Sequence, residues 1–134
     1  MAESKYGKYI FRQTKPHAKI TAATPAALEG LKDWGGIQHR MVWSHVSGPT
    51  VMYKDPHTHD FDEFLCFLSS DPRTPFELGA EIELSLGKEG ERQVIDAATI
   101  VCVPKGMVHG PLSFKKVDRT VLFCRVDLGH EDTK

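Results

Sequence analysis

The groups able to do chemistry are concentrated in the run His57-Thr58-His59-Asp60-Phe61-Asp62-Glu63. On an extended strand, side chains at i and i+2 face the same way, about 6–7 Å apart along the axis. His57 and His59 can therefore converge on one metal ion while Thr58 points away. On a straight strand Glu63 would stand about 13 Å beyond His59, too far to share the ion. It reaches only if the chain reverses between them. Asp60-Phe61-Asp62 is suitable turn material, since Asp bonds its own nearby backbone. The spacing predicts a strand, a tight turn, and a second strand opening with Glu63. Taken singly, histidines in turns are commonly surface residues, and a carboxylate such as Glu63 is commonly solvated.

The elements that must position these residues are mostly strands. Ile37–Val46, Thr50–Tyr53, Glu63–Leu68, Ala80–Leu86, Gln93–Ile95, Thr99–Val103 and Val121–Val126 are rich in β-branched, aromatic or alternating apolar residues. Gly48-Pro49, Asp55-Pro56, the loop from Ser69 to Pro75 and the hairpin loop Leu86–Glu91 separate them. In Ala80–Leu86, Ile82, Leu84 and Leu86 share one face, opposite Glu81, Glu83 and Ser85. Many short strands with turn signals between them suggest a sandwich or a barrel. Residues 1–23 read as an extended arm with a short strand at Tyr9–Arg12. Thr24-Pro25 is a helix start, Ala26–Asp33 would form two turns, and Gly35-Gly36 would end them. The division expected is an arm and helix over 1–36, packed on one barrel over 37–130.

A second segment answers the first. Pro104-Lys105-Gly106-Met107-Val108-His109 is a Pro/Gly turn that delivers a histidine at the start of a strand. HTHDFDE and PKGMVH together resemble the two signature motifs of the cupin superfamily, HxHxxxE and PxGxxH. The resemblance runs from residue 57 through the second motif, with strand-rich flanks consistent as far as residue 127. It implies an all-β fold, the double-stranded β-helix or cupin jelly-roll barrel, with a divalent transition metal on His57, His59, Glu63 and His109. The chain departs from the family pattern where Ser69 and Ser70, Ala98 and Ser113 replace the usual glycine, glycine and asparagine. These departures touch turns rather than ligands. They mark a divergent member and weaken transfer of any specific activity. Pro111 interrupts its strand, which implies an edge or a bend.

Three imidazoles and one carboxylate suit Fe, Mn, Zn, Ni or Cu, and do not choose among them. Four protein ligands would leave about two positions on an octahedral ion for water, O2 or a bidentate ligand. Binding needs neutral imidazoles, so affinity should fall below about pH 6. Strand periodicity offers pocket residues around the site. Phe67 shares a face with Glu63; Met41, Trp43 and His45 share one; Phe123 and Arg125 share another. Inside the barrel Arg125 would partner a carboxylate, whereas outside it would be a solvated charge. His45 could serve as a general base, a polar contact or a structural histidine. Trp43 and Phe67 could equally be core residues.

Length and charge exclude several classes. The chain has 134 residues, 40% hydrophobic and 26% charged, with a formal net charge of -1. That suits one domain with one core. No segment approaches the roughly 18 consecutive apolar residues of a membrane span, and the N-terminus has no apolar core of signal-peptide type. Residues 1–40 are net basic, but Lys5, Lys8, Arg12, Lys15 and Lys19 are dispersed, without the dense run or aromatic interleaving of a nucleic-acid surface. Cys66, Cys102 and Cys124 sit in apolar strands with no CxxC. They read as small buried residues kept reduced in a cytoplasm. The function expected is a metalloenzyme acting on a small polar or carboxylated molecule. Dioxygenase-like cleavage comes first and metal-dependent isomerisation or decarboxylation second. The alternative is a non-catalytic binding or sensing barrel, and a homodimer is expected in either case.

Overall fold

The structure is a computed structural model that describes residues 5–10, 25–29 and 39–129. Nine strands follow in chain order: β1 (Pro25–Glu29), β2 (Arg40–Val46), β3 (Thr50–Tyr53), β4 (Glu63–Ser69), β5 (Glu77–Leu86), β6 (Glu91–Ala97), β7 (Thr99–Val103), β8 (His109–Val117) and β9 (Val121–Asp127). They form two antiparallel sheets, ordered β1-β2-β9-β4-β7 and β3-β8-β5-β6. Apart from the β1–β2 and β5–β6 pairs, each strand passes to the opposite sheet, so the chain wraps a single interior as a jelly roll. The only helical element among the described residues is one 3-10 turn at Gly7–Tyr9.

Alternation decides which side chains fill the interior. Ile82 and Leu84 on β5 are fully buried, while Glu81 before them is exposed and Glu83 between them is half-buried. Leu65 and Phe67 on β4 pair across the sheet with Arg125 and Phe123 on β9. Phe67 stacks on Phe123 with ring centroids 5.1 Å apart, and Phe114 of the opposite sheet lies 6.0 Å from Phe67 and 5.9 Å from Phe123. Val46, Leu112 and Val121 complete this core, each at 0% exposure. The aromatic trio locks the sheets together, because offset and edge-on rings add to the area they bury.

Three expectations are corrected and one is narrowed. Pro25–Glu29 is not the start of a helix but an edge strand, with Pro25 opposite Ser44 and Glu29 opposite Arg40. An isolated two-turn helix is marginal in water, whereas β2 offers this segment a row of backbone partners. Proline is tolerated there because an edge strand leaves donors unpaired. Thr24 and residues 30–38, including Gly35-Gly36, lie outside the described residues. The strand expected at Tyr9–Arg12 is a 3-10 turn as far as Tyr9, with Ile10 extended after it and residues 11–12 outside the described set. Pro111 does not mark an edge, since β8 runs between β3 and β5. It does mark an irregularity. The Gly110–Pro111 peptide is cis, and the β5–β8 register shifts between Leu84 and Leu86. Finally, Cys102 is exposed and Cys66 and Cys124 are only half-buried. All three lie on the outward side of their strands.

The glycine expected after the first motif is replaced without loss of the turn. Ser69 donates its hydroxyl to the Thr74 carbonyl at 3.0 Å and accepts from the Asp71 amide at 3.1 Å. A side chain thus organises the bend that a glycine would have made by backbone freedom.

Candidate metal centre

Backbone pairing brings the two motifs together. His57 and His109 form an isolated bridge, each amide donating to the other's carbonyl at 2.9 and 3.0 Å. The Gly106 amide donates to the His59 carbonyl at 3.0 Å, and the Lys105 amide to Asp62 Oδ1 at 2.8 Å. Two glycines allow this approach. Gly106 has φ +84° within the Pro104–Met107 turn. Gly110 has φ +101°, and a Cβ there would stand 3.0 Å from the Asp55 carbonyl oxygen. Other residues would be strained at both positions. The expected first strand is therefore only a single bridge, cut short by Asp55-Pro56 before it and the Asp60–Asp62 bend after it. The i, i+2 logic still operates: His57 and His59 are half-buried and Thr58 is exposed. The bend then carries the chain to the other sheet, where β4 opens at Glu63.

Three imidazoles converge. The ligand atoms of His57, His59 and His109 all lie within 4.8 Å of one another. Two rings have their tautomer set by the backbone. His57 Nδ1 lies 3.2 Å from the Asp55 carbonyl and His109 Nδ1 lies 3.1 Å from that of Met107. A carbonyl can only accept, so each Nδ1 carries the proton and each Nε2 keeps its lone pair for an ion. His59 is braced differently, stacked on Phe61 at 4.7 Å with 11° between the rings.

Glu63 sits beneath the histidines at 1% exposure. Its Oε1 is 3.2 Å from His109 Nε2, and its Oε2 is 3.7 Å from His59 Nε2. Both carboxylate oxygens and His109 Nε2 are buried without an aligned hydrogen bond. Buried polar atoms are normally satisfied, and a cluster of unsatisfied ones is the signature of a site for an ion or water. A divalent cation accepted by all four donors removes the discrepancy, and hard carboxylate with borderline imidazole is a donor set for such an ion. The residues present thus fit the metal.

Behind Glu63 stands a second polar layer. Arg125 Nε lies 3.6 Å from Glu63 Oε2 and 3.5 Å from Asp127 Oδ1, and Nη1 donates to the Tyr53 hydroxyl at 3.2 Å. Arg125 therefore faces the interior rather than solvent. Tyr53 stands edge-on to His57, with centroids 5.2 Å apart. Sequence reasoning missed both Asp127 and Tyr53. Asp127 was within reach, being two residues beyond Arg125 on the same strand face. Tyr53 carried no such signal, because it comes from the opposite sheet.

The remaining pocket expectations divide. Phe67 and Phe123 face inward but fill the packed core. Met41, Trp43 and His45 do not line the interior. On β2 it is Ser44 and Val46 that are buried, while His45 is exposed, so the three lie on the outer face. The reason is register: the inward parity of β2 is set by its pairing with β9, where Ser44 opposes Phe123 and Val42 opposes Arg125.

Electrostatics separates the two buried carboxyls. Burial alone would raise Glu63, but its contacts with His109 and Asp127 outweigh that and hold it down at about 2. Burial, reinforced by Glu63, pushes Asp127 up to about 8. His57 is lowered by burial, which keeps its ring neutral and free to coordinate. Burial also opposes charge on His109, but Glu63 and the Met107 carbonyl outweigh it and raise that ring. Folded Asp127 thus holds its proton over the range from about 4 to 8 in which an unfolded Asp releases it. The folded state binds more protons there, so stability declines as pH rises through that window, by at most about 1.4 kcal/mol per pH unit. Glu63 acts in the opposite sense, its contribution being lost as pH falls from about 4.5 toward 2. The melting temperature of chelator-treated protein should therefore fall from pH 5 to pH 8, and Asp127→Asn should flatten the curve. Equal slopes in both proteins would show that Asp127 does not hold the proton.

No protein-family model and no curated protein matches the sequence. Solved structures do match in three dimensions. KdgF from Halomonas sp. superposes with a TM-score of 0.54 at 11% identity, covering 92% of this chain and 94% of that one. Bacillus subtilis oxalate decarboxylase, described with Mn(II) centres, superposes at 0.56 and 12% identity over 92% of this chain and 30% of its own. HppE in its Fe(II) form superposes at 0.51 and 16% identity, covering 78% of this chain and 49% of that one. The chain thus spans about half of HppE and less than a third of the decarboxylase. Two antiparallel sheets rolled around one interior, with the paired motifs at one end, are the cupin jelly roll. The chain shares that fold with these structures, and its two motifs bring together a three-histidine cluster able to hold a metal.

Proposed function

We propose that the protein is a metal-dependent enzyme acting on a small polar or carboxylated molecule, with O2-dependent cleavage as the leading reaction. The convergence of His57, His59 and His109 above the unsatisfied carboxylate of Glu63 carries this reading. A divalent ion held there supplies Lewis-acid polarisation or, for a redox-active metal, a platform for O2. The chain's own residues do the rest. Asp55 and Met107 carbonyls hold two imidazoles in the ligating tautomer. Glu63 adds negative charge, and Arg125 restrains it from behind. The likeness in fold to Mn(II) and Fe(II) proteins supports a first-row divalent ion among Fe, Mn, Zn, Ni and Cu.

The test begins with metal analysis of protein purified without an affinity tag. Chelator should lower the melting temperature, and re-adding the native ion should restore it. An unchanged melt with every candidate ion sinks the metal centre. O2 uptake with a panel of small acids and phenols follows. Uptake no faster than the free-metal control removes the oxidative branch and leaves metal-dependent isomerisation or decarboxylation, or a binding and sensing barrel. We further propose a homodimer, checked by light scattering. The free thiols of Cys66, Cys102 and Cys124 support a reducing, cytoplasmic compartment.

A further inference from the structure

An arginine inside a small β-barrel needs a reason. Arg125 lies on β9 directly opposite Leu65 of β4 and Val42 of β2, between the apolar core at Phe123 and the buried carboxyls of Glu63 and Asp127. Its guanidinium is held on two sides. Nε faces Glu63 and Asp127, and Nη1 donates to Tyr53. Such bracing fixes the plane of the fork, and a planar fork is what recognises a carboxylate or similar oxyanion with two parallel bonds.

Tyr53 extends the same surface toward the histidines. Its hydroxyl accepts from Arg125, so its own hydrogen points away from the guanidinium. Its ring lies edge-on to His57. Tyr53 thus touches His57 through its ring and Arg125 through its hydroxyl, linking the guanidinium to the histidine side of the site. Charge points the same way. With a divalent ion at the histidines, Arg125, Glu63 and Asp127 bring the site to a net charge of about +1 or +2, according to whether Asp127 is ionised. A neutral ligand would leave that charge uncompensated in a desolvated interior.

We infer that Arg125 and Tyr53 form an anion-recognition subsite beside the metal centre, selecting a small carboxylate that also presents an oxygen donor to the ion, such as a 2-oxo or 2-hydroxy acid. The inference rests on the metal-centre reading above and names its ligand class. Arg125 is the specificity-determining group, and Tyr53 is its bridge to the His57 side of the site. Their contribution is to ligand affinity and orientation, without a covalent step.

The experiment uses metal-loaded protein at pH 7.5, with 2-oxoglutarate and malate as probe anions and their dimethyl esters as neutral counterparts. Cobalt-substituted protein reports ligand arrival by its visible spectrum, and calorimetry gives the affinity. The anions should bind at least about 10-fold more tightly than the esters. Tyr53→Phe should weaken the anions about 10-fold and Arg125→Gln about 100-fold, as expected for hydrogen bonds to a charged group. Metal affinity and ester affinity should stay within about 2-fold in Tyr53→Phe. Arg125→Lys, which keeps the charge but not the fork, should recover only part of the loss. It also reports on the subsite if Arg125→Gln fails to fold. Anions and esters binding alike in the wild type, or an unchanged anion affinity in Tyr53→Phe and Arg125→Lys, overturns the inference. Failure of the wild type to take up cobalt or any other divalent ion is a different result, and overturns the metal centre itself.

Discussion

His57→Ala should remove most of the metal-dependent stabilisation while leaving the metal-free fold intact. His57 contributes an imidazole to the three-histidine cluster, but its structural hydrogen bonds to His109 are made by the backbone. Removing the ring spares that pairing. It is only half-buried, so the cavity left behind opens to solvent rather than into the core. Loss of an outer-layer partner of a metal ligand typically costs about 10–100-fold in metal affinity, and loss of a ligand should cost at least about 100-fold. In metal at 100 times the wild-type dissociation constant, the wild type gains about 2.7 kcal/mol, whereas a variant bound 100-fold more weakly gains about 0.4 kcal/mol. For a chain of this size the difference amounts to several degrees in melting temperature. Scanning calorimetry with and without the ion measures it. Equal metal-induced shifts in the two proteins would remove His57 from the centre. His109→Ala is the less informative variant. That ring is fully buried against Glu63, so its loss damages packing and leaves a buried carboxylate unpartnered as well.

The second large effect concerns the scaffold. Phe67→Ala should destabilise the protein by about 3–5 kcal/mol, the usual cost of deleting a buried aromatic ring. Phe67 has 0% exposure, stacks on Phe123 of its own sheet and reaches Phe114 of the other. Its removal opens a cavity at the point where the sheets are joined. Small domains are stable by about 5–15 kcal/mol in all, so this single change consumes a large share. Denaturant unfolding should show the midpoint falling with little change in slope. Cys102→Ser, at an exposed outward position, should change stability by less than about 0.5 kcal/mol. A Phe67→Ala loss as small as the Cys102→Ser loss would show that the aromatic trio is not the core.

The strands and the histidine cluster were legible for a shared reason. Both depend on periodicity of 2, which is written directly into the order of residues. Ile82 and Leu84 alternate with Glu81 and Glu83 in the chain and in the barrel. His57 and His59 flank an outward Thr58 in the same way. What failed was everything that depended on which partner a segment would meet. Pro25–Glu29 has the composition of a helix start, and only the open edge of β2 makes it a strand. Met41, Trp43 and His45 were correctly placed on one face, but periodicity does not say which face is inside. Pairing with β9 sends Ser44 and Val46 inward and these three outward. Pro111 announced an irregularity in β8 but not that the strand would be internal.

The sequence by itself determined the ligand types, their spacing within each motif, and the turns that present them, because these are local properties of short runs. That the two motifs meet was implied by the family resemblance, and the tertiary structure supplied the means, the His57–His109 bridge. It also turned Arg125 inward against Glu63 and Asp127, and brought Tyr53 from the opposite sheet to join them. Those contacts link residues far apart in the chain, and their register is set by burying one face of every strand at once. No single strand carries that information, which is why the clustered histidines and Glu63 could be read in advance and the polar layer behind them could not.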